Sequence, residues 1–178
     1  MAYYDDIYEI AADNYGIFTR ADAQSMGISD KELSRITASG RLVRLGHGVY
    51  RIKHHIPEKN SPYAESVAIV GEGAYLYGES VIAMHELAPT NPADIYVGCP
   101  RRIRRNLPTG LTVIHTHSDH LTTYQGIPSH TIPEAIRACA QTMMRSRLIE
   151  AVRVARNKGL INATEERELL EDLNGRTS

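Results

Sequence analysis

Residues 29–52, S-D-K-E-L-S-R-I-T-A-S-G-R-L-V-R-L-G-H-G-V-Y-R-I, admit few folds. Ser29 with Glu32 three residues on has the spacing of a capping box, so a helix is expected over 30–39. Leu33 and Ile36 form its apolar face, and Gly40 ends it. R-L-V-R-L then alternates, G-H-G turns, and V-Y-R-I alternates again, which predicts a hairpin of Leu42–Leu45 with Val49–Ile52. Upstream, Thr19 caps a short helix over 20–26 with Asp22 at its third position, Gly27 ends it, and Ile28 fills the turn. Further upstream Tyr4, Ile7, Tyr8 and Ala11 recur at helical spacing, giving a helix over 3–15 closed by Gly16. Three helices and a hairpin in this order predict a winged helix-turn-helix.

Charge patterning suggests what such a domain would touch. The net charge is −1, so the chain as a whole has no bias toward nucleic acid. Its bases are clustered. Lys31, Arg35, Arg41, Arg44, Arg51 and Lys53 stand against the single acid Glu32 between positions 31 and 53. In a winged helix the second helix of the turn motif enters the major groove. Lys31, Ser34, Arg35 and Ala38 lie opposite Leu33 and Ile36 on that helix. Arg35 suits bidentate reading of guanine, and Lys31 and Ser34 suit phosphate or a base edge. The wing adds Arg41, Arg44, His47 and Arg51, with Arg44 and Arg51 expected on one face. The competing reading of these charges is a solvated surface on a domain that docks protein. Arg101, Arg102, Arg104 and Arg105 form a second basic cluster, a candidate extension of the DNA-contacting surface or a solvated loop.

The fold class expected is α+β. A winged helix-turn-helix over 1–55 is followed by a mixed α/β domain over 62–178 with a small sheet and a helical C-terminus. The aperiodic, proline-containing stretch 53–62 separates them as a linker. Beyond it the patterns give a helix from Ser61-Pro62 to Val70 and an extended A-Y-L-Y. A helix at E-S-V-I-A-M-H-E-L and strands at A-D-I-Y-V-G-C and L-T-V-I-H-T-H come next. An interrupted strand pair about Gly126 and three closing helices, the last capped by Thr164, complete the chain. No apolar run approaches the roughly 20 residues of a membrane span. The acidic N-terminus does not suit a signal peptide, so a cytoplasmic location is expected. Cys99 and Cys139 lack metal or redox spacing and are expected as free thiols.

One stretch points elsewhere. V-I-H-T-H-S-D-H over 113–120 carries the H-x-H-x-D-H signature of the metallo-β-lactamase superfamily. Alternate histidines after a strand can share a metal, and His115, His117, Asp119 and His120 would then activate water for hydrolysis. The remaining ligands of such a site are missing: after His120 the chain has only His130, ten residues on, and then reads as helix. A metal-dependent hydrolase on this loop is therefore the alternative function class. The preferred reading is a polar loop in a protein that is no enzyme and holds neither metal nor cofactor. Ser80 with His85, Cys99 and Cys139 lack the context of nucleophiles.

In order along the chain stand G-I-F-T-R-A-D-A-Q-S-M-G-I-S-D-K-E-L-S-R-I-T-A-S-G-R-L-V-R-L-G-H-G-V-Y, G-E-S-V-I-A-M-H-E-L, D-I-Y-V-G-C-P-R-R-I-R-R, the H-x-H strand end, and G-I-P-S-H-T-I-P-E-A-I-R-A-C. As an ordered set over about residues 5 to 165 these resemble the AbiEi family of antitoxins from bacterial type IV toxin–antitoxin systems. Ile132-Pro133-Glu134-Ala135-Ile136 departs from the family in lacking its Thr and Asp. The resemblance implies a winged helix that binds inverted repeats in its own promoter, as a dimer on double-stranded DNA, and represses its operon. It implies a second domain that opposes a cognate nucleotidyltransferase-like toxin, functionally rather than in a tight complex.

Overall fold

The computed structural model describes residues 2–175, which fall into two compact units. The first comprises Met1–Glu72 with Asn106–Pro108, the second Gly73–Arg105 with Thr109–Ser178. In the first, α1 (Ala2–Ala12), β1 (Ile17–Thr19), α2 (Arg20–Ser25), α3 (Asp30–Ala38), β2 (Leu42–Gly46), β3 (Val49–Ile52) and α4 (Ser61–Val70) follow in order. The expected winged helix-turn-helix is present. Thr19 accepts from the Asp22 amide and Asp22 reaches back to the Thr19 amide, completing the cap of α2. Ser29 accepts from the Glu32 amide at 3.2 Å. The reciprocal half of that box is absent, because the Glu32 carboxylate turns to Arg35 instead.

Two features of this unit escaped the pattern. Ile17–Thr19, too short for its alternation to register, is a third strand, and the sheet order is β1-β3-β2. The helix α4 belongs to this unit, so the division falls after Glu72 rather than in the 53–62 stretch. The reason is that both faces of the sheet are covered. Leu42, Ile52 and Phe18 on one face join Ile7, Ala11, Ala23, Leu33 and Ile36 in a buried core. On the other face Gly46 lies under Ile69 of α4, where an added Cβ would stand 3.2 Å from the Ile69 side chain. A hairpin this short is marginal alone and gains from burial on a second side.

The second unit holds β4 (Tyr75–Leu76), α5 (Glu79–Met84), β5 (Ile95–Cys99), β6 (Leu111–His115), β7 (Leu121–Tyr124), β8 (Ile127–His130), α6 (Ile132–Ala138), α7 (Arg145–Asn157) and α8 (Ala163–Gly175). Its five strands run in the order β6-β5-β4-β8-β7, with β5–β6 and β4–β8 parallel and β4–β5 and β7–β8 antiparallel. The interrupted strand pair is a hairpin turning at Gln125-Gly126, both at positive φ, as a tight two-residue turn requires. Leu148, Ala151, Val152 and Ala155 line the buried stripe of α7, which packs with α6 and α8. The cap of α8 is Asn162, not Thr164. Its Oδ1 accepts from the amides of Thr164 and Glu165, and the Glu165 carboxylate accepts from the Asn162 amide. Among the described residues no helix is long and apolar enough to cross a membrane.

Gly98 is the tightest backbone approach in this unit. A Cβ there would fall 2.4 Å from Cε2 and Cζ of Tyr75, a ring only 1% exposed. Gly98→Ala is therefore expected to destabilise by about 1–3 kcal/mol, the usual cost of overpacking a filled site. Urea denaturation of the variant beside wild type would show this as a lower midpoint at similar slope.

Candidate nucleic-acid interface

The helix α3 presents Lys31, Ser34, Arg35 and Ala38 to solvent, while Leu33 and Ile36 are buried. That division follows from spacing alone, since 33 and 36 share a face that 31, 34, 35 and 38 do not. The wing tip, Gly46-His47-Gly48, exposes His47, and Gly48 sits at φ +70 as the turn demands. Arg44 is exposed beside it, its Nε donating to the Gly46 carbonyl at 3.2 Å.

Four of the seven expected contact residues are exposed on α3 or on the strand that leads to the wing tip: Lys31, Ser34, Arg35 and Arg44. His47 at the tip joins them. Two do not. Arg51 pairs across the sheet with Val43, and Arg44 with Tyr50, so the two arginines face opposite sides of the sheet rather than one. Paired residues share a face and successive residues alternate, so Arg44 opposite Tyr50 and Arg51 one residue on point to opposite sides. Arg51 instead gives its Nη1 to Glu65 of α4 at 2.5 Å and is largely covered. Arg41 is half-buried, its guanidinium 5.1 Å from the centroid of the Tyr4 ring of α1. Both are occupied in holding helices to the sheet.

Arg20, which sequence reasoning left out, belongs to the surface. Its amide donates to the Gly48 carbonyl at 2.8 Å, which sets it beside the wing tip. Its guanidinium reaches Asp30 at the start of α3 through Nε at 2.8 Å and Nη2 at 2.5 Å. The signal available was the Thr19 cap: the first residue of the helix it opens must point out of the turn.

A second fork forms within α3. Arg35 Nε and Nη2 donate to the two oxygens of Glu32 at 3.0 and 2.6 Å. Each arginine holds its partner carboxyl below the usual carboxylate range through these hydrogen bonds. Both pairs lie in solvent, where such interactions are weak and exchangeable. Among the described residues Lys31 and Arg44 thus have no carboxylate paired to them, while Arg20 and Arg35 are planar forks closed by carboxylates.

Residues 5–53 match the family described as transcriptional regulator, AbiEi antitoxin.

The AbiEi match covers the helices and wing just described and ends one residue past β3. The resemblance read along residues 5 to 165 is thereby matched over its first third. Among solved structures, the RV2827C protein from Mycobacterium tuberculosis is similar over 93% of this chain and 69% of its own, at 14% identity and a TM-score of 0.52. That likeness concerns the fold alone. Comparison with curated proteins gave no match.

The histidine stretch does not assemble as its signature suggests. His115 closes β6 and its Nε2 lies 3.1 Å from the Pro100 carbonyl. His117 Nε2 lies 2.9 Å from Asp119 Oδ1. The His120 carbonyl, one residue before β7, accepts from the Thr131 amide at 2.9 Å. Among the described residues no three His, Cys, Asp or Glu side chains are grouped to hold a metal ion. Cys99 and Cys139 are buried free thiols. Arg101, Arg102, Arg104 and Arg105 are exposed on a loop of the second unit.

Proposed function

We propose that this protein is a DNA-binding transcriptional autorepressor and the antitoxin of a type IV toxin–antitoxin system, opposing a nucleotidyltransferase-like toxin in the cytoplasm. It acts by binding rather than by catalysis, with no metal or cofactor. The observation that carries the reading is the set of exposed bases on α3 and the wing, within the residues matched to AbiEi regulators. In this account α3 enters the major groove, Arg35 reads a guanine, Lys31 and Ser34 hold phosphate or a base edge, and Arg44 and His47 track the backbone from the wing. Arg20 joins them, while Arg41 and Arg51 hold the scaffold.

The two forks give this face a means of discrimination. A carboxylate on Arg35 cancels its charge toward a passing phosphate. A guanine edge offers the same guanidinium two acceptors in the fork geometry and can replace Glu32. Glu32→Gln is then expected to tighten binding to random-sequence duplex and steepen its salt dependence by about one. It would narrow the ratio of specific to random affinity. Anisotropy titrations with both duplexes check this; an unchanged ratio would remove Glu32 from the account.

The proposal as a whole is tested with the DNA upstream of the chain's own gene. Expected are a retarded complex resisting excess random competitor, and repression of a reporter driven by that DNA. Co-expression should also relieve growth arrest by a neighbouring nucleotidyltransferase. Absence of binding to that DNA would overturn the repressor reading, and unrelieved arrest the antitoxin reading. The alternative, hydrolysis on the histidine loop, would show as stoichiometric metal in purified protein that is lost in His117→Ala.

A further inference from the structure

The second unit contains an open cavity of about 240 Å³ that the DNA reading does not use. Tyr77 beyond β4, Tyr96 of β5 and Ile114 of β6 form its floor, on one face of the sheet. Ala138 and Cys139, at the end of α6, form one wall, and Glu79, opening α5, forms another. Its surface is mostly apolar, and the polar groups in it are of unequal kind. The Cys139 thiol is pushed up to about 12 by burial and stays neutral. Burial likewise raises the Tyr77 hydroxyl. The Thr142 hydroxyl is spent on the Cys139 carbonyl at 3.3 Å. Glu79 is half-buried, and among the described residues its carboxylate has no hydrogen-bond or ion-pair partner. It supplies the one formal charge of the lining.

A carboxylate partly withdrawn from water beside two tyrosine rings favours a cation. Aromatic rings attract cations through their quadrupole, and a reduced dielectric strengthens both attractions. The volume decides the size of the guest. Cofactor and drug-sized sites run from about 300 Å³ upward, so this cavity is too small for a nucleotide. It suits a single cationic head on a short aliphatic stem, whose methylenes would lie against Ile114 and Ala138.

We propose that this cavity binds an alkylammonium or alkylguanidinium group, with Glu79 as counter-ion and Tyr77 and Tyr96 as its aromatic floor. That chemistry has two sources, a free small amine or guanidine and a Lys or Arg side chain of a partner protein. The inference does not rest on the DNA reading, and its test contains no DNA.

The full chain is titrated at constant ionic strength with n-butylammonium, n-butylguanidinium and the neutral n-pentanol, followed by amide chemical shifts. The expected result is saturable shifts clustered at Tyr77, Tyr96 and Cys139, with a cation bound at least about tenfold more tightly than pentanol. Glu79→Gln should weaken the cations by about tenfold and leave pentanol unchanged. Equal affinity for cation and alcohol on the wild-type chain would overturn the proposal whether or not the variant folds. So would an absence of saturable shifts up to about 50 mM, beyond the millimolar range of weak specific binding. An acetylated, amidated Gly-Arg-Gly or Gly-Lys-Gly peptide separates the sources. Binding at least as tight as the free cation assigns a protein side chain, and weaker binding assigns a small molecule.

Discussion

The triple variant Lys31→Ala, Arg35→Ala, Arg44→Ala is expected to bind its target DNA about a hundredfold more weakly than wild type at physiological salt. The magnitude follows from what each side chain does. A bidentate guanine contact by Arg35 is worth about 1–3 kcal/mol of discrimination. Lys31 and Arg44, placed on phosphates, each add close to one to the slope of log affinity against log salt. Wild type should therefore show the steeper slope, by about two, and the gap between it and the triple variant should narrow as salt rises. Arg51→Met is the internal control. Its guanidinium is held by Glu65 under α4, so its loss should lower stability and leave the salt slope alone. A triple variant with wild-type slope would remove α3 and the wing from the DNA surface.

A second large effect concerns pH and the second unit. His130 is 2% exposed, lies against the rings of Tyr75 and Tyr77, and has its Nδ1 buried without a hydrogen-bond partner among the described residues. Burial, with a lesser push from His120, lowers its folded pKa to about 4. The sign follows directly. Between about 6.5 and 4 the unfolded chain carries a proton at this position that the folded chain does not. Stability is therefore fully present above pH 6.5, is lost as pH falls toward 4, and loses no more from this group below that. The loss amounts to about 3 kcal/mol across the window. His85 is shifted in the same direction by burial and by Lys158, and adds to the trend. His130→Phe keeps the ring stack and removes the proton. Urea midpoints at pH 7 and pH 4.5 should fall less for this variant than for wild type. Parallel losses would show that His130 titrates normally.

The helix-turn-helix was legible because it is written in local signals. The Thr19 and Ser29 caps, the glycines at 27 and 40 and the 33/36 spacing each act within a few residues, and each reappears in the structure. The side of α3 that faces solvent was legible for the same reason. What could not be read required pairing across distance. The third strand at Ile17–Thr19 exists because β3 receives it. The position of α4 depends on a sheet face whose partner lies some twenty residues on. Arg51 looked like its neighbours in sequence, and a one-residue difference in hairpin register turned it toward Glu65. Arg20 was missed because its role comes from standing beside a wing that folds back over it. The histidine signature is the converse case: four residues at familiar spacing whose side chains, set on a strand end and the next strand's entry, meet a carbonyl and a single carboxylate instead of each other.

Residue-resolved chemical-shift mapping of the full chain with its upstream DNA tests whether α3 and the wing read DNA. Perturbations are expected to concentrate at residues 20, 30–39 and 44–48 and to be competed poorly by random duplex. Shifts that spare 30–39 while the complex forms would contradict it.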